Sequence, residues 1–439
     1  MPFQLDPTFA QDPAKHFDTL QIHAGLEPDP TTGAAALPIY ASAAFQFDSA
    51  PDAAAKFALS KPGNVYGRLT NTTTDAVAAR VAAIEGATGA VAVASGHAAE
   101  ILALTNIVGA GDHIVASDSL YGGTWNIFLH TLADLGVETT FVENNDIDGF
   151  VAATKENTKL WYVETIGNPL VDVADVPAIV EAANSLKEPV PVFVDNTFAT
   201  PYLYRPADDG AAVVIESLTK WIGGHGATLG GAVIDTGKFD WKQTPGKFPT
   251  LTEPDPSYHG LVFADAAPAA PFSTRVLANK LRDFGPTLSP YAAQLIGIGI
   301  ETLSLRAQRH SDNALAVAKY LESHPKVSWV RYSGLENDPS HEVASRILHN
   351  GFGGVVVFGV KGGRDAGLKV VDNVKLFTHL ANVGDAKSLI IHPASTTHSQ
   401  LTPEQLKAAH LTEDLIRLSV GIENVDDIIA DLDQALENA

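Results

Sequence analysis

The segment SLTKWIGGH places Lys220 directly after the apolar run AVVIE, with the hydroxyl groups of Ser217 and Thr219 beside it. An amine in this position can form a Schiff base when its surroundings lower its pKa, and neighbouring hydroxyls can bind a phosphate. The alternative is a solvated surface lysine. The Gly-rich continuation GGHGATLGG fits neither GxGxxG nor a Walker pattern, so neither loop is predicted.

Two other segments put polar groups where apparent strands end. In VFVDNTFATP, Asp195 ends a strand, which is where α/β proteins present ligand-binding groups, although it could equally cap a helix. In AVAVASGHAAEIL, a turn through Ser95, Gly96 and His97 begins a helix whose free N–H groups suit an anion, and the alternative is an ordinary capped turn. Because backbone groups would bind the anion, we expect the His97 side chain to be a bystander.

Three more residues have a functional and a structural interpretation. Tyr121, in SDSLYGGTW, could stack on a flat ligand or pack in the core. Asn168, in ETIGNPLVDV, could contact a ligand or stabilise a turn. Arg417, within the apolar run LIRLSVGIE, needs a partner, which could be a substrate carboxylate or a buried salt bridge.

Short β-branched runs alternate with helical stretches from about residue 89 onward. Since these runs lack a polar face, the pattern predicts an α/β fold with a buried, mostly parallel sheet. The apparent strands are GAVAVA, HIVAS, VETTFV, KLWYVET, VPVFVDN and AAVVIES.

The chain of 439 residues is predicted to have three parts. Residues 1–65 show no clear alternation and are expected to be an arm that packs against another subunit. Residues 66–285 form the sheet domain and include a Pro- and Gly-rich stretch, Thr236 to Pro271, interpreted as a functional loop or insertion. Residues 286–439 begin with one long helical pattern and then contain strand-like runs, which indicates a smaller second α/β domain.

Composition excludes several function classes. With 29 basic and 51 acidic residues the formal charge is −22, which disfavours nucleic acid and membrane partners. Since there is no cysteine, thiolate catalysis and cysteine metal sites are excluded. No metal site is predicted, because His341-Glu342 lacks the second histidine of HExxH. No secretory signal is apparent in the sequence, and a cytoplasmic location is expected.

The order of the motifs is more specific than any motif alone. From about His23 to the C-terminus, the chain resembles the Cys/Met-metabolism family of fold-type I pyridoxal-phosphate (PLP) enzymes, which includes cystathionine synthases, lyases and homoserine-ester sulfhydrylases. The motifs that carry the resemblance are Tyr66-Gly67-Arg68, Ser95-Gly96-His97, Tyr121-Gly122-Gly123-Thr124, Asn168-Pro169, Asp195-Asn196-Thr197-Phe198 and Ser217-x-Thr219-Lys220.

This resemblance implies a mostly parallel large domain that binds PLP, with Lys220 as the Schiff-base and proton-transfer residue and Asp195 at the pyridine nitrogen. Tyr121 would stack on the ring and assist catalysis, and Asn168 would contact the cofactor and the substrate. The remaining implied contacts are to the phosphate, from Ser217, Thr219, Gly96 and His97, and to the substrate carboxylate, from Arg417 and Ser388. Tyr66 and Arg68 would reach the phosphate of a neighbouring subunit, in a homotetramer built from dimers with shared active sites.

The stretch NVGDAKSLIIHPASTTHSQL is similar to the branch that transfers sulfur to O-acetyl-L-homoserine, whereas the lyases carry an acidic residue in place of Lys387. The segment FPTLTEPDPSYHGLVF also resembles an insertion of that branch. The implied reaction is gamma-replacement by sulfide, giving L-homocysteine and acetate in methionine biosynthesis. Alternatives are cystathionine gamma-synthase, an O-succinylhomoserine-specific enzyme, or a non-catalytic binding protein of the same fold.

Overall fold

The computed structural model describes residues 15–26, 28–29, 31–396 and 411–439. Its centre is a seven-stranded sheet with the order β1-β7-β6-β5-β4-β2-β3. Most of its residues are buried β-branched or other apolar side chains, as expected for a sheet that packs on both faces. The strands are β1 Gly89–Val93, β2 His113–Ser117, β3 Glu138–Val142, β4 Thr158–Glu164, β5 Val192–Asp195, β6 Val213–Glu216 and β7 Gly231–Asp235.

Strands β2, β3, β4, β5 and β6 run parallel, and only β7 runs antiparallel to its neighbours β6 and β1. The carboxyl ends of β1, β2, β4, β5 and β6 therefore lie at one edge of the sheet. In the α/β class, ligands bind at this edge. All the sequence motifs from Ser95 to Lys220 follow these strand ends.

The sequence correctly located six strands of this sheet but not β7. Its residues GAVID follow the Gly-rich segment that precedes Thr236, and were not recognised because glycine is uncommon in strands. Gly231 tolerates no side chain, since an added Cβ would lie 2.8 Å from the backbone nitrogen of Gly96. The close approach of β7 to the turn at Gly96 explains the glycine.

Helices cover the sheet and connect its strands. In chain order they are α1 Phe17–His23, α2 Ala50–Phe57, α3 Thr72–Ile84, α4 Gly96–Ile107, α5 Gly122–Asn126, α6 Leu132–Asp134, α7 Ile147–Ala153, α8 Val176–Ser185, α9 Thr200–Leu203, α10 Pro249–Thr252, α11 Phe263–Ala266, α12 Pro271–Arg275, α13 Arg282–Phe284, α14 Pro290–Ile300, α15 Leu303–Ser323, α16 His341–Ile347, α17 Gly363–Asn373 and α18 Val425–Glu437. Within the described ranges, none of them has the length and apolar character needed to span a lipid bilayer.

A second, five-stranded sheet has the order β10-β11-β12-β9-β8 and packs on α15, α17 and α18. Its strands are β8 Val327–Arg331, β9 Val355–Val360, β10 Thr378–His379, β11 Leu389–Ile391 and β12 Leu415–Ser419. The strand-like runs after residue 326 were thus correctly located, and the short edge strand β10 was missed. Part of the sulfhydrylase-like stretch, residues 397–401, lies outside the described residues.

The single long helix expected after residue 288 is instead two helices, α14 and α15, which are separated at Glu301 and Thr302. Arg306 stabilises the break because its guanidinium donates to the Gly299 carbonyl at 2.6 Å and to the Trp221 carbonyl at 2.6 Å. Trp221 follows Lys220, so the break also supports the turn that carries the lysine.

Packing contacts cross two of the expected boundaries, which stay predictions. Helix α1 lies in the proposed arm, yet Leu20 is buried in the main core and Gln21 bonds Ser304 of the same chain at 2.8 Å. That part of the arm therefore packs on its own subunit. Helix α14 lies after residue 286, but it packs on α3, so the large core continues beyond the proposed boundary.

Candidate active site

Lys220 lies in the turn that follows β6, with its side chain half-buried. Its Nζ donates to Oδ1 of Asn382, 2.6 Å away, which belongs to the loop before β11 of the second sheet. Burial and, secondarily, the nearby charge of Arg417 lower the pKa of Lys220 to about 8. The neutral, nucleophilic fraction of this amine near neutral pH is therefore far larger than that of an ordinary lysine, although the protonated form still predominates.

Asp195 is the last residue of β5, and its carboxyl group is enclosed. Burial raises the pKa of Asp195, and hydrogen bonds from Thr197 oppose this rise. One of them is donated by the backbone N–H of Thr197 at 2.9 Å. The carboxylate is thus held in a fixed orientation and is suited to a cationic ring nitrogen.

The amino end of α4 forms an anion cradle. Ser95 caps the helix by accepting from the Ala98 N–H at 3.1 Å, while the N–H groups of Gly96 and His97 have no acceptor within the described part of the chain. A Cβ on Gly96 would lie 2.8 Å from that of Ser217, so only glycine permits this approach. These features fit a phosphate.

Thr219 is already bonded within the protein. Its hydroxyl donates to the Gly230 carbonyl and accepts from the Gly230 N–H, both at 3.1 Å. A hydroxyl has one proton to donate. To bind a phosphate as expected, Thr219 would have to release the Gly230 carbonyl.

Tyr121 is partly exposed at the start of α5, and its ring stacks on that of His97 with centroids 5.5 Å apart. The His97 side chain therefore forms part of the site wall, which the expectation of a bystander did not include. Burial raises the pKa of Tyr121, and the positive charge of Arg417 opposes that rise. The backbone N–H of Tyr121 donates to Glu164 at 2.6 Å.

Arg417 is buried on β12, where its guanidinium donates to Oδ1 of Asn168 at 2.9 Å. Among the described residues it has no carboxylate within ion-pair distance, so the buried salt bridge considered above is not found there. Burial lowers the pKa of Arg417 to about 10. A buried cation with donors to spare is suited to a substrate carboxylate.

Ser388 and Lys387 do not join this cluster. The hydroxyl of Ser388 donates to Glu423 at 2.9 Å and accepts from the Gly421 N–H at 2.9 Å, with no bond to Arg417. The Lys387 ammonium is exposed and lies 3.2 Å from a carboxylate oxygen of Asp385. The assignment of Ser388 to the substrate carboxylate therefore rests on the resemblance alone.

The sequence did not identify Asn382, although it lies in the stretch used to distinguish the branches. Its bond to Lys220 spans 162 positions in the sequence, and no local pattern shows such a contact. Tyr66 and Arg68 lie elsewhere: the Arg68 guanidinium stacks over the Tyr66 ring at 5.5 Å and donates to the Arg282 carbonyl. None of their described contacts is with the Lys220 cluster.

Taken together, the sheet edge offers a lysine with a lowered pKa, a fixed carboxylate and an anion cradle, the three groups that anchor the aldehyde, ring nitrogen and phosphate of PLP. The glycine-dependent contact at Gly96 is the observation that fits the phosphate most directly. Arg417 adds a buried guanidinium that would suit an anionic substrate.

Comparisons with known proteins agree with this geometry. The family model described as Cys/Met metabolism PLP-dependent enzyme matches residues 18–437. The chain is 50% identical to homocysteine synthase of Schizosaccharomyces pombe, over 97% of this chain and 99% of the relative. It is 48% identical to O-acetyl-L-homoserine sulfhydrylase of Leptospira meyeri, over 96% of each chain.

A solved structure from Campylobacter jejuni, named for O-acetylhomoserine (thiol)-lyase, superposes with a TM-score of 0.92 at 39% identity, covering 96% of this chain and all of that one. In that structure a lysine carries the pyridoxyl phosphate. The resemblance to the fold-type I enzymes is thereby confirmed. This chain belongs to the Cys/Met metabolism family of PLP-dependent enzymes.

Proposed function

We propose that this chain is an O-acetylhomoserine sulfhydrylase, which replaces the acetate of O-acetyl-L-homoserine with sulfide and releases L-homocysteine. The Cγ–O bond of the ester breaks and a Cγ–S bond forms. The structural observation that carries the proposal is Arg417, a buried guanidinium with no carboxylate partner in the described chain, beside a lysine whose pKa is lowered to about 8. Near-full-length identity of about half to relatives named for this reaction supports the same conclusion.

In the proposed assignment, the N–H groups of Gly96 and His97 hold the cofactor phosphate together with Ser217 and Thr219. Asp195 holds the ring nitrogen, and Tyr121 stacks on the ring. Bound PLP supplies an electron-accepting ring that stabilises negative charge at the substrate α-carbon.

The substrate contacts follow from the same geometry. Arg417 binds the α-carboxylate, and Asn168 orients Arg417 through the 2.9 Å hydrogen bond. The Lys220 amine would take the proton from Cα, pass it to the bound cofactor and then, neutral again, take a proton from Cβ, which its lowered pKa favours. Tyr121, whose phenol lies near the positive charge of Arg417 that opposes the rise of its pKa, would assist removal of the proton from the substrate amine. Asn382 holds the Lys220 amine in the cofactor-free protein.

We further propose a homotetramer of dimers that share active sites. Tyr66 and Arg68 would complete the phosphate site of the partner subunit, since their side chains make no described contact with the phosphate site of their own subunit. An exposed apolar face on helices α14 and α15 offers a surface for assembly. It is formed by Tyr291, Leu295, Ile298 and Leu305. The boundaries 66–285 and 286–439 and a cytoplasmic location also stay predictions.

The reaction assignment is tested by product analysis. Given O-acetylhomoserine and sulfide, the enzyme should form homocysteine at least about tenfold faster than 2-oxobutanoate. Both products come from one unsaturated intermediate, and a closed pocket that admits sulfide and excludes water favours homocysteine. Mass spectrometry of the products gives the ratio. Faster cystathionine formation from cysteine, or a preference for the succinyl ester, would instead assign the chain to the alternative branches.

The shared site is tested by mixing two inactive variants. Arg68→Ala should weaken cofactor retention, and Lys220→Ala should remove the reactive amine, but a mixed dimer can contain one complete site. Coexpression of the two should restore activity to about a quarter of wild type, because about a quarter of the sites in randomly assembled dimers contain both an intact Lys220 and an intact Arg68. Measured activity of a verified monomer comparable with that of the assembled enzyme would contradict the shared site.

A further inference from the structure

Glu164 connects two of the functional loops described above. It ends β4 directly beside Asp195 at the end of β5, and the register pairs the two residues, so their side chains lie on the same face of the sheet. Its carboxyl is buried and accepts the Tyr121 backbone N–H at 2.6 Å. The backbone N–H of Asn168 also bonds this carboxyl. One side chain therefore contacts both the ring-stacking and the Arg417-binding segments.

The two segments also pack directly on each other. A Cβ on Gly167 would lie 2.5 Å from the carbonyl oxygen of Ser119, so the turn before Asn168 lies against the turn before Tyr121. Val171, two residues after the Asn168-Pro169 pair, has φ near 57°, a left-handed conformation that is unfavourable for a β-branched residue. Such a turn requires support from outside itself, and the Glu164 carboxyl is placed to give it.

Two acidic side chains face Glu164. Asp195 faces it from β5, and Glu100 faces it from α4, where it accepts the Tyr162 hydroxyl at 3.1 Å. The nearby cations are bonded to other groups, Lys220 to Asn382 and Arg417 to Asn168. Burial, followed by the charge of Asp195, raises the pKa of Glu164 well above its ordinary value. All three carboxyl groups accept hydrogen bonds, but Asp195 is the least buried of the three residues, and so it is the best placed of them to carry the charge.

We propose that Glu164 is a positioning residue that, as a neutral carboxylic acid, fixes Tyr121 and Asn168 in one geometry and leaves Asp195 as the single charge beneath the ring. The proposal rests on the proposed function and extends it, because it makes one buried acid responsible for the alignment of ring stacking with the carboxylate contact of Arg417.

The test uses three variants of the cofactor-loaded enzyme. Glu164→Gln is neutral and keeps an oxygen acceptor, Glu164→Met has a similar length but no such acceptor, and Asp235→Asn is the control. Asp235 is an equally buried acid, but it ends the antiparallel strand β7 at the opposite edge of the sheet, where it accepts the Ser273 N–H at 3.0 Å. The readouts are the visible circular dichroism of bound PLP, its pH titration, and kcat and KM for the ester.

We expect Glu164→Gln to match wild type in the dichroism and its pH titration. Glu164→Met should lower the dichroism per bound cofactor by about half and raise KM about tenfold. The reason is that displaced Tyr121 and Asn168 side chains would no longer hold the cofactor ring and the substrate carboxylate in a fixed position. Asp235→Asn should leave these values unchanged even where it lowers thermal stability. The dichroism is measured without substrate, so the comparison of the variants remains valid even if the wild type proves inactive on O-acetylhomoserine.

Two results would overturn the proposal. If Glu164→Gln shifts the pH titration, Glu164 carries a charge in the wild type. If Glu164→Met folds with normal dichroism and KM, the carboxyl is merely structural. Should the Met variant fail to fold, the Gln titration alone still decides whether the acid is neutral.

Discussion

Replacing Lys220 with alanine should lower the rate of homocysteine formation by at least about 10⁴-fold, because the residue both anchors the cofactor and moves protons. The visible band of the lysine-linked cofactor should disappear, although PLP can remain bound through the phosphate cradle. The chain should stay folded, since the one hydrogen bond of the Lys220 side chain within the described residues is to Asn382, and its backbone bonds to Ser217 and Gly224 are kept. Turnover and absorbance of protein purified from a host without a wild-type copy measure both effects.

The lowered pKa of Lys220 leads to a more specific test, which is rescue of the Lys220→Ala protein by an added amine. Because a neutral primary amine is the reactive species, methylamine added to the Lys220→Ala protein should restore part of the turnover. Lys319→Ala is the matched control, since Lys319 is an exposed residue of α15. Turnover near wild type in the Lys220→Ala protein, or loss of turnover in the control, would remove the central assignment.

Much of the fold could be read from the sequence because the buried strands have a simple apolar pattern. Six strands of the large sheet and the principal strands of the small sheet were located in this way. Strand β7 was missed because its start, Gly231, is selected by contact with the turn at Gly96 rather than by strand propensity. The break between α14 and α15 depends on Arg306, whose bonds to Trp221 and Gly299 are tertiary.

The site shows the same division between local and long-range information. The residues of the motifs from Ser95 to Lys220 follow strand ends, so their convergence at one sheet edge was predictable from order alone, whereas Tyr66 and Arg68 lie elsewhere. Asn382 and Glu164 were not identified, because each acts through contacts with residues distant in sequence. Ser388 was carried over from the resemblance, and its bonds to Glu423 and Gly421 engage it inside the second domain.

The second large effect is expected at Arg417. Arg417→Met should reduce kcat/KM for O-acetylhomoserine by about 10²–10³-fold, mainly through KM, because the substrate carboxylate loses a buried, charge-assisted contact. Arg417→Lys keeps the charge but not the planar fork, and we expect a loss of about tenfold. Steady-state kinetics of both variants against wild type measure these changes.

The Arg417→Met and Arg417→Lys variants also separate the effect of the planar guanidinium group from the effect of its positive charge. The Arg417 charge lowers the pKa of Lys220, so without it the pKa rises above about 8 and a higher pH is needed to neutralise the amine. The rate at which apoenzyme takes up PLP should therefore rise with pH through about 8 in wild type and in Arg417→Lys, but at higher pH in Arg417→Met. Equal midpoints in all three proteins would contradict the coupling between these residues.

Stability distinguishes substrate binding from a purely structural role for Arg417. Removing one partner of a buried salt bridge costs about 3–5 kcal/mol because a charge is left uncompensated, whereas replacing a buried cation that has no carboxylate partner removes the cost of burying an unpaired charge. In the described chain the partner of Arg417 is the amide of Asn168, not a carboxylate. The free energy of unfolding of Arg417→Met should therefore not fall, because the cation is retained at an energetic cost that only a bound anion offsets.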